Sequence, residues 1–65
     1  MSIGKRIAYY RRQNKLTQAE LAEKVGVSRQ TINSIEKGDY NPTIGLCISI
    51  CKILGKTLDE LFWED

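Results

Sequence analysis

Helix start and stop signals follow one another closely along this sequence, and two of the helices that they predict are separated by a turn of only three residues. The apolar period is close to 3.6 throughout, and no segment alternates apolar and polar residues as a strand does. Thr17-Gln18-Ala19-Glu20 has the pattern of a capping box, and Gly26 is suited to stop the helix that it opens. Ser28 is suited to cap the next helix. The chain is therefore predicted to be all-α, with a helix-turn-helix at residues 17–37.

Three further helices are predicted from the same signals. The first runs from about residue 2 to residue 14, the fourth lies between Thr43 and Gly55, and a short fifth opens at a second capping box, residues 57–60. The apolar positions expected on the buried faces of the first four helices are Ile3, Ile7, Tyr10, Leu21, Ala22, Val25, Ile32, Ile35, Ile44, Cys47, Ile48, Cys51 and Leu54. With no linker or repeat between helices, residues 1–65 are predicted to form a single domain.

The net charge of +2 is divided unevenly along the chain. Residues 1–37 hold eight basic and three acidic side chains, a balance of +5, whereas residues 38–65 hold two and five, a balance of −3. Charge asymmetry of this size is also common on solvated helices. A positive half is nevertheless suited to a polyanion such as nucleic acid.

Composition argues against several functional classes. There is no His and there are two cysteines, so neither a zinc site nor a disulfide framework is expected, and nothing meets the requirements of a catalytic site. Cys47 and Cys51 could act as a redox or metal sensor, but we favour buried small hydrophobic side chains. Neither a signal peptide nor the roughly 20 apolar residues of a membrane span is found. We expect a cytoplasmic protein without a cofactor, a metal, a membrane partner or a small-molecule ligand.

The third helix, predicted over residues 29–37, has an outward face without an acidic side chain. Ile32 and Ile35 point inward, which leaves outward the hydrogen-bonding side chains of Arg29, Gln30, Asn33, Ser34 and Lys37. Arg pairs well with guanine, and Gln and Asn pair well with adenine, in the major groove of DNA. Any solvated helix face is polar, but in a chain with eight acidic residues such a face usually includes one of them.

Residues 17–38, TQAELAEKVGVSRQTINSIEKG, resemble the Cro/repressor (Xre-type) helix-turn-helix family of phage and bacterial transcriptional regulators. The resemblance extends over nearly the whole chain and implies a compact, five-helix, lambda-repressor-like DNA-binding domain. It implies base reading by Arg29, Gln30, Asn33 and Ser34. It implies phosphate contacts by Thr17, Gln18, Thr31, Lys37, Tyr40 and Asn41.

The resemblance implies two structural roles and one departure as well. Gln18 is expected to buttress the residue at the start of the recognition helix. Arg11 and Glu36 match an internal ion pair, although Arg11 could instead clamp a phosphate. Lys15 stands where the family often has Gly, so a positive φ is expected there.

The last helix carries more apolar surface than two turns can bury on their own domain. We expect a dimer interface at Leu58, Leu61, Phe62 and Trp63, which would place two third helices about 34–36 Å apart on a pseudo-palindromic operator. The predicted function is a homodimeric, sequence-specific regulator that binds double-stranded DNA and acts as a repressor. The alternative is an antitoxin-type regulator that also binds a partner protein through its C-terminal third. RNA binding is disfavoured because Tyr40 alone offers no platform for unstacked bases.

Overall fold

The computed structural model describes residues 2–63, which form five α-helices and no strand. These are α1 (Ile3–Gln13), α2 (Gln18–Val25), α3 (Arg29–Lys37), α4 (Ile44–Leu54) and α5 (Leu58–Phe62). The predicted all-α architecture is therefore confirmed. The predicted single domain also includes residues 1, 64 and 65, which lie outside the described range. Within that range, no helix is both long enough and apolar enough to cross a bilayer.

Each helix begins at a hydroxyl side chain that accepts a hydrogen bond from a main-chain N–H three residues later. These N-caps are Ser2, Thr17, Ser28, Thr43 and Thr57. At α2 and α5 the capping box is complete, because Glu20 and Glu60 accept hydrogen bonds from the N–H groups of their caps. Those bonds lower the pKa of both carboxyl groups. Both capping boxes and the three-residue turn between α2 and α3 are thus confirmed.

The core lies where the five helices face one another. Its fully buried large side chains are Ile7, Leu21, Ile32, Ile50 and Leu61. Cys47 and Cys51 are also buried, and burial raises the pKa of both thiols. The prediction that these cysteines act as small core residues is confirmed.

The register of α4 differs from the prediction. Ile44 and Ile48 were expected in the core, but these residues are 67% and 41% exposed, while Ile50 is fully buried. Two apolar stripes with helical spacing run along this helix. The buried stripe contains Ile50 together with the two cysteines, and the period alone does not distinguish it from the other.

The helix α1 approaches the end of α3 closely at Gly4. A Cβ atom at this residue would lie 2.7 Å from the carbonyl carbon of Glu36 and 2.8 Å from the carbonyl oxygen of Ile35, and closer still to the carbonyl oxygen of Glu36. Only a residue without a side chain fits there. Lys15, in the bend between α1 and α2, has the positive φ that was expected, 59°.

Candidate DNA-binding surface

The helix α3 presents a polar face whose side chains lie where the sequence placed them. Arg29, Gln30 and Lys37 are exposed, and Asn33 and Ser34 are half-buried, while the two isoleucines of the helix are buried. The one acidic residue of α3, Glu36, has a side chain that is only 8% exposed. The face that projects from the domain therefore carries hydrogen-bond donors and cations without an exposed carboxylate.

Glu36 and Arg11 form the predicted ion pair. Arg11 Nε donates to Glu36 Oε2 at 2.8 Å, and Arg11 Nη2 donates to Glu36 Oε1 at 3.2 Å. Arg11 Nη1 also donates to the carbonyl oxygen of Leu16 at 2.8 Å. Because the Arg11 side chain is only 9% exposed and three of its N–H groups make these bonds, its role in the described structure is to tie α1 to α3.

Gln18 joins this ion pair to the polar face of α3. Its Nε2 donates to Asn33 Oδ1 at 3.2 Å and to Glu36 Oε1 at 3.0 Å, so both amide protons are used within the protein. Reversing the amide would place its oxygen against the Glu36 carboxylate, which fixes its orientation. Gln18 was predicted to buttress the start of the recognition helix, and that prediction is wrong. The buttressed residue is Asn33, one turn further along α3, because that is the side chain beside the N-terminus of α2.

The other predicted phosphate-contacting residues flank the polar face of α3. The Thr17 hydroxyl accepts from the Glu20 N–H, and the Thr31 hydroxyl lies 3.0 Å from that of Ser28. Tyr40 and Asn41 are exposed in the loop between α3 and α4. These residues therefore lie at the beginnings of α2 and α3 and just after the end of α3, the places where a duplex backbone would pass a helix inserted in its groove.

The predicted dimer residues divide into two groups. Trp63 is 67% exposed, Leu58 is exposed and Phe62 is half-buried. Leu61 is fully buried in the core of its own domain, so its predicted place in a dimer interface is wrong: α5 turns this side chain inward. Arg6 Nη1 donates to the Trp63 carbonyl oxygen at 2.6 Å and so holds the end of α5 against α1.

A group of residues on α1 was not identified from the sequence. Lys5, Tyr9 and Arg12, with the small side chain of Ala8 between them, form one wall of an open groove, and Gln18, Asn33, Glu36 and Lys37 form the other. The spacing of the three α1 residues, i, i+4 and i+7, was the available signal. This spacing was missed because polar residues on the side of α1 opposite its apolar face are expected of any amphipathic helix.

Five helices with a tight turn between the second and third, and an exposed polar face on the third, define a helix-turn-helix DNA-binding protein. A helix-turn-helix family model matches residues 7–61, and the chain belongs to this family, as a member of its Cro/repressor (Xre) type. The family prediction is confirmed. The matched family consists of transcriptional regulators and not of enzymes.

Relatives are found among cellular and phage regulators. The chain is 48% identical over 61 residues to an HTH-type transcriptional regulator of Methanocaldococcus jannaschii, and the match covers 92% of each protein. It is 35% identical over 65 residues to the immunity repressor protein of Bacillus phage phi105, of which it spans only 45%. A chain in the solved SinR protein/SinI protein complex superposes with a TM-score of 0.89 at 34% identity, over 97% of this chain and 62% of that one.

Proposed function

We propose that this regulator is a cytoplasmic repressor that binds a pseudo-palindromic DNA operator as a homodimer, with α3 of each subunit in the major groove. The observation that carries this proposal is the face of α3, where every projecting side chain is a hydrogen-bonding group and the only carboxylate is withdrawn into an ion pair. Such a face can approach base edges without repelling the phosphates on either side of the groove.

The residues of this face divide between base reading and backbone contact. Arg29 and Gln30 lie in the first turn of α3, the part of a recognition helix that reaches deepest, and Asn33 and Ser34 follow one turn later. Lys37 ends the helix, where it would meet the backbone and not the bases. Asn33 reaches the groove in one orientation, because its carbonyl oxygen already accepts a hydrogen bond from Gln18.

In this proposal, Gln18 contacts a phosphate through its main-chain N–H and not through its side chain. Both amide protons of the side chain are donated within the protein. The N–H of Gln18 lies in the first turn of α2, where main-chain donors have no partner one turn earlier in the helix, and where the helix dipole favours an anion. Thr17, Thr31, Tyr40 and Asn41 complete the proposed backbone contacts.

Selection of bound sequences from random duplexes tests the proposal. The expected result is two related half-sites in inverted orientation, with centres separated by about one helical turn or a multiple of it. Arg29→Ala should relax base preference at one position of each half-site, at about 1–3 kcal/mol, whereas Lys37→Ala should weaken binding to all sequences alike. If the two variants have the same sequence-independent effect, the division between base reading and backbone contact is wrong.

Dimerisation in this proposal uses the exposed side chains of Leu58 and Trp63, with part of Phe62. Sedimentation equilibrium at tens of micromolar should show a dimer, and Trp63→Ala should shift it toward monomer.

The second candidate function is an antitoxin-type regulator whose C-terminal third binds another protein, and the exposed indole of Trp63 is the observation that favours it. A wild-type protein that remains monomeric would refute the homodimer and favour this second function.

A further inference from the structure

We propose that α1 provides an additional contact to the DNA backbone through Lys5, Tyr9 and Arg12, which we term the α1 strip. This inference rests on the proposed function and extends it to a helix outside the helix-turn-helix. The α1 strip would bind phosphates of the strand that passes the N-terminus of α2. It would thereby add to affinity without adding to sequence preference.

The three residues of the α1 strip share one face of their helix and are all exposed. With a rise of about 1.5 Å per residue, the strip from Lys5 to Arg12 is about 10 Å long. In one strand of B-DNA the phosphates are spaced by about 3.4 Å along the helix axis, so this length is enough to face about three of them. The residue between the longer side chains of this wall is Ala8, whose small side chain leaves the groove open.

The charges in the groove are unbalanced in favour of an anion. Among residues 2–63 the ion pairs are those of Arg11 with Glu36 and of Lys56 with Glu60, so Lys5, Arg12 and Lys37 have no acidic partner within that range. The one carboxylate that lines the groove, Glu36, is already neutralised by Arg11 and also accepts from Gln18. Three cations around one groove repel one another, and a bound phosphate would relieve that repulsion.

The position of Tyr9 in the α1 strip is supported by its contact with the neighbouring ring of Tyr10. The Tyr9 ring packs edge-on against Tyr10, with ring centroids 5.1 Å apart, and the Lys56 ammonium lies 4.5 Å from the centre of the Tyr10 ring. Tyr9 is nevertheless 46% exposed and lines the groove. A phenol in this position can donate a hydrogen bond to a phosphate oxygen between the two cations of the strip.

Continuity with the base-reading face identifies the occupant as DNA. Gln18, Asn33 and Lys37 line the groove and also belong to the surface proposed to meet the duplex. A duplex seated on α3 must therefore bring its backbone to the mouth of the groove. An acidic protein surface would also be attracted to these cations. A site for such a partner would have no reason to lie beside Asn33, whereas a site for the DNA backbone would.

The salt dependence of DNA binding tests the α1 strip. We would measure the slope of log K against log salt on the selected operator and on an unrelated duplex, for the wild type and for Lys5→Gln/Arg12→Gln. Each phosphate contact contributes about −0.9 to this slope, so the double variant should have a slope smaller in magnitude by about 1.8 on both duplexes, with its base preference unchanged. The matched control is Lys24→Gln/Lys52→Gln, which removes the same charge from exposed positions outside the groove and should change the slope by less than half as much.

Phosphate ethylation interference gives a second, independent measurement. For the wild type, we expect interference at phosphates outside those nearest α2 and α3, and we expect the double variant to lose this outer set alone. Equal slopes and equal interference patterns for wild type and double variant would overturn the α1 contact while leaving the proposed function standing. Failure of the wild type to bind any duplex would overturn both proposals.

Discussion

Replacing Gly4 with Ala should destabilise the fold, because the added methyl group has no space between α1 and α3. Its carbon would lie within 2.8 Å of carbonyl atoms of Ile35 and Glu36. These are main-chain atoms, which cannot move aside by changing a rotamer, so one helix must shift against the other. Overpacking of this kind costs about 1–3 kcal/mol, and Ala gains at most about 1 kcal/mol over Gly from helix propensity. With several main-chain clashes, we expect the upper part of this range and a net loss of about 2 kcal/mol.

The matched control is Gly45→Ala, at the same second position of α4. A Cβ atom at Gly45 would have nothing nearer than the Thr43 hydroxyl oxygen, at 4.0 Å. The same substitution should therefore keep the gain in helix propensity without a clash and stabilise the protein by up to about 1 kcal/mol. Two chemically identical changes at equivalent helical positions should thus have opposite signs.

Thermal unfolding followed by circular dichroism measures both effects. A change of 1 kcal/mol shifts the midpoint of a domain of this size by about 4–8 °C, so Gly4→Ala should melt about 8–16 °C below the wild type. Gly45→Ala should melt above the wild type, by up to about 4–8 °C. A Gly4→Ala variant that melts no lower than the wild type would refute the close approach of the two helices. Equal shifts for both variants would show that the effect comes from the glycine itself and not from its surroundings.

Two further predictions concern buried groups. Arg11→Met should destabilise the protein by about 3–5 kcal/mol in urea unfolding, because it leaves the Glu36 carboxylate buried without its cation. Arg11→Met/Glu36→Gln should recover part of that loss, and strictly additive single effects would contradict the coupling. In the native protein, Cys47 and Cys51 should react with a thiol reagent only as fast as the domain opens, because both are buried and burial raises their pKa above the ordinary thiol value. Rapid labelling of either thiol at neutral pH would contradict their place in the core.

The ends of the helices could be predicted from the sequence because their signals are local. A capping hydroxyl and a glycine act within one turn of the helix that they bound, as at Thr17 and Gly26, so nothing distant needs to be known. The outward face of α3 was predictable for a related reason. This helix carries only one apolar stripe, so only one of its faces can be buried and the opposite face must be exposed.

The details that the sequence did not predict depend on contacts between helices. The helix α4 is apolar on two faces, and only its packing against the other helices buries Ile50 and exposes Ile44. Four apolar residues lie close together at the end of the chain, and the period does not tell which of them, here Leu61, turns inward. Likewise, the partner of Gln18 is decided by the distance from α2 to each turn of α3, which no pattern in the sequence records.

The ion pair that stabilises the fold and the proposed base-reading face share one carboxylate, that of Glu36. The Glu36 side chain accepts from Arg11, which fastens α1 to α3, and from Gln18, which fixes the amide of Asn33. Gln18 lies between the Glu36 carboxylate, which belongs to the ion pair, and the Asn33 amide, which belongs to the polar face of α3. Both protons of its own amide are used in these two bonds, so none is available for DNA. In the proposed complex, its side chain would act on base preference only through Asn33, whereas Arg11 acts on stability first. The same ion pair, together with the close contact at Gly4, also holds α1 beside the polar face of α3. The helix that stabilises this fold is therefore also the one through which we propose an additional contact to the DNA backbone.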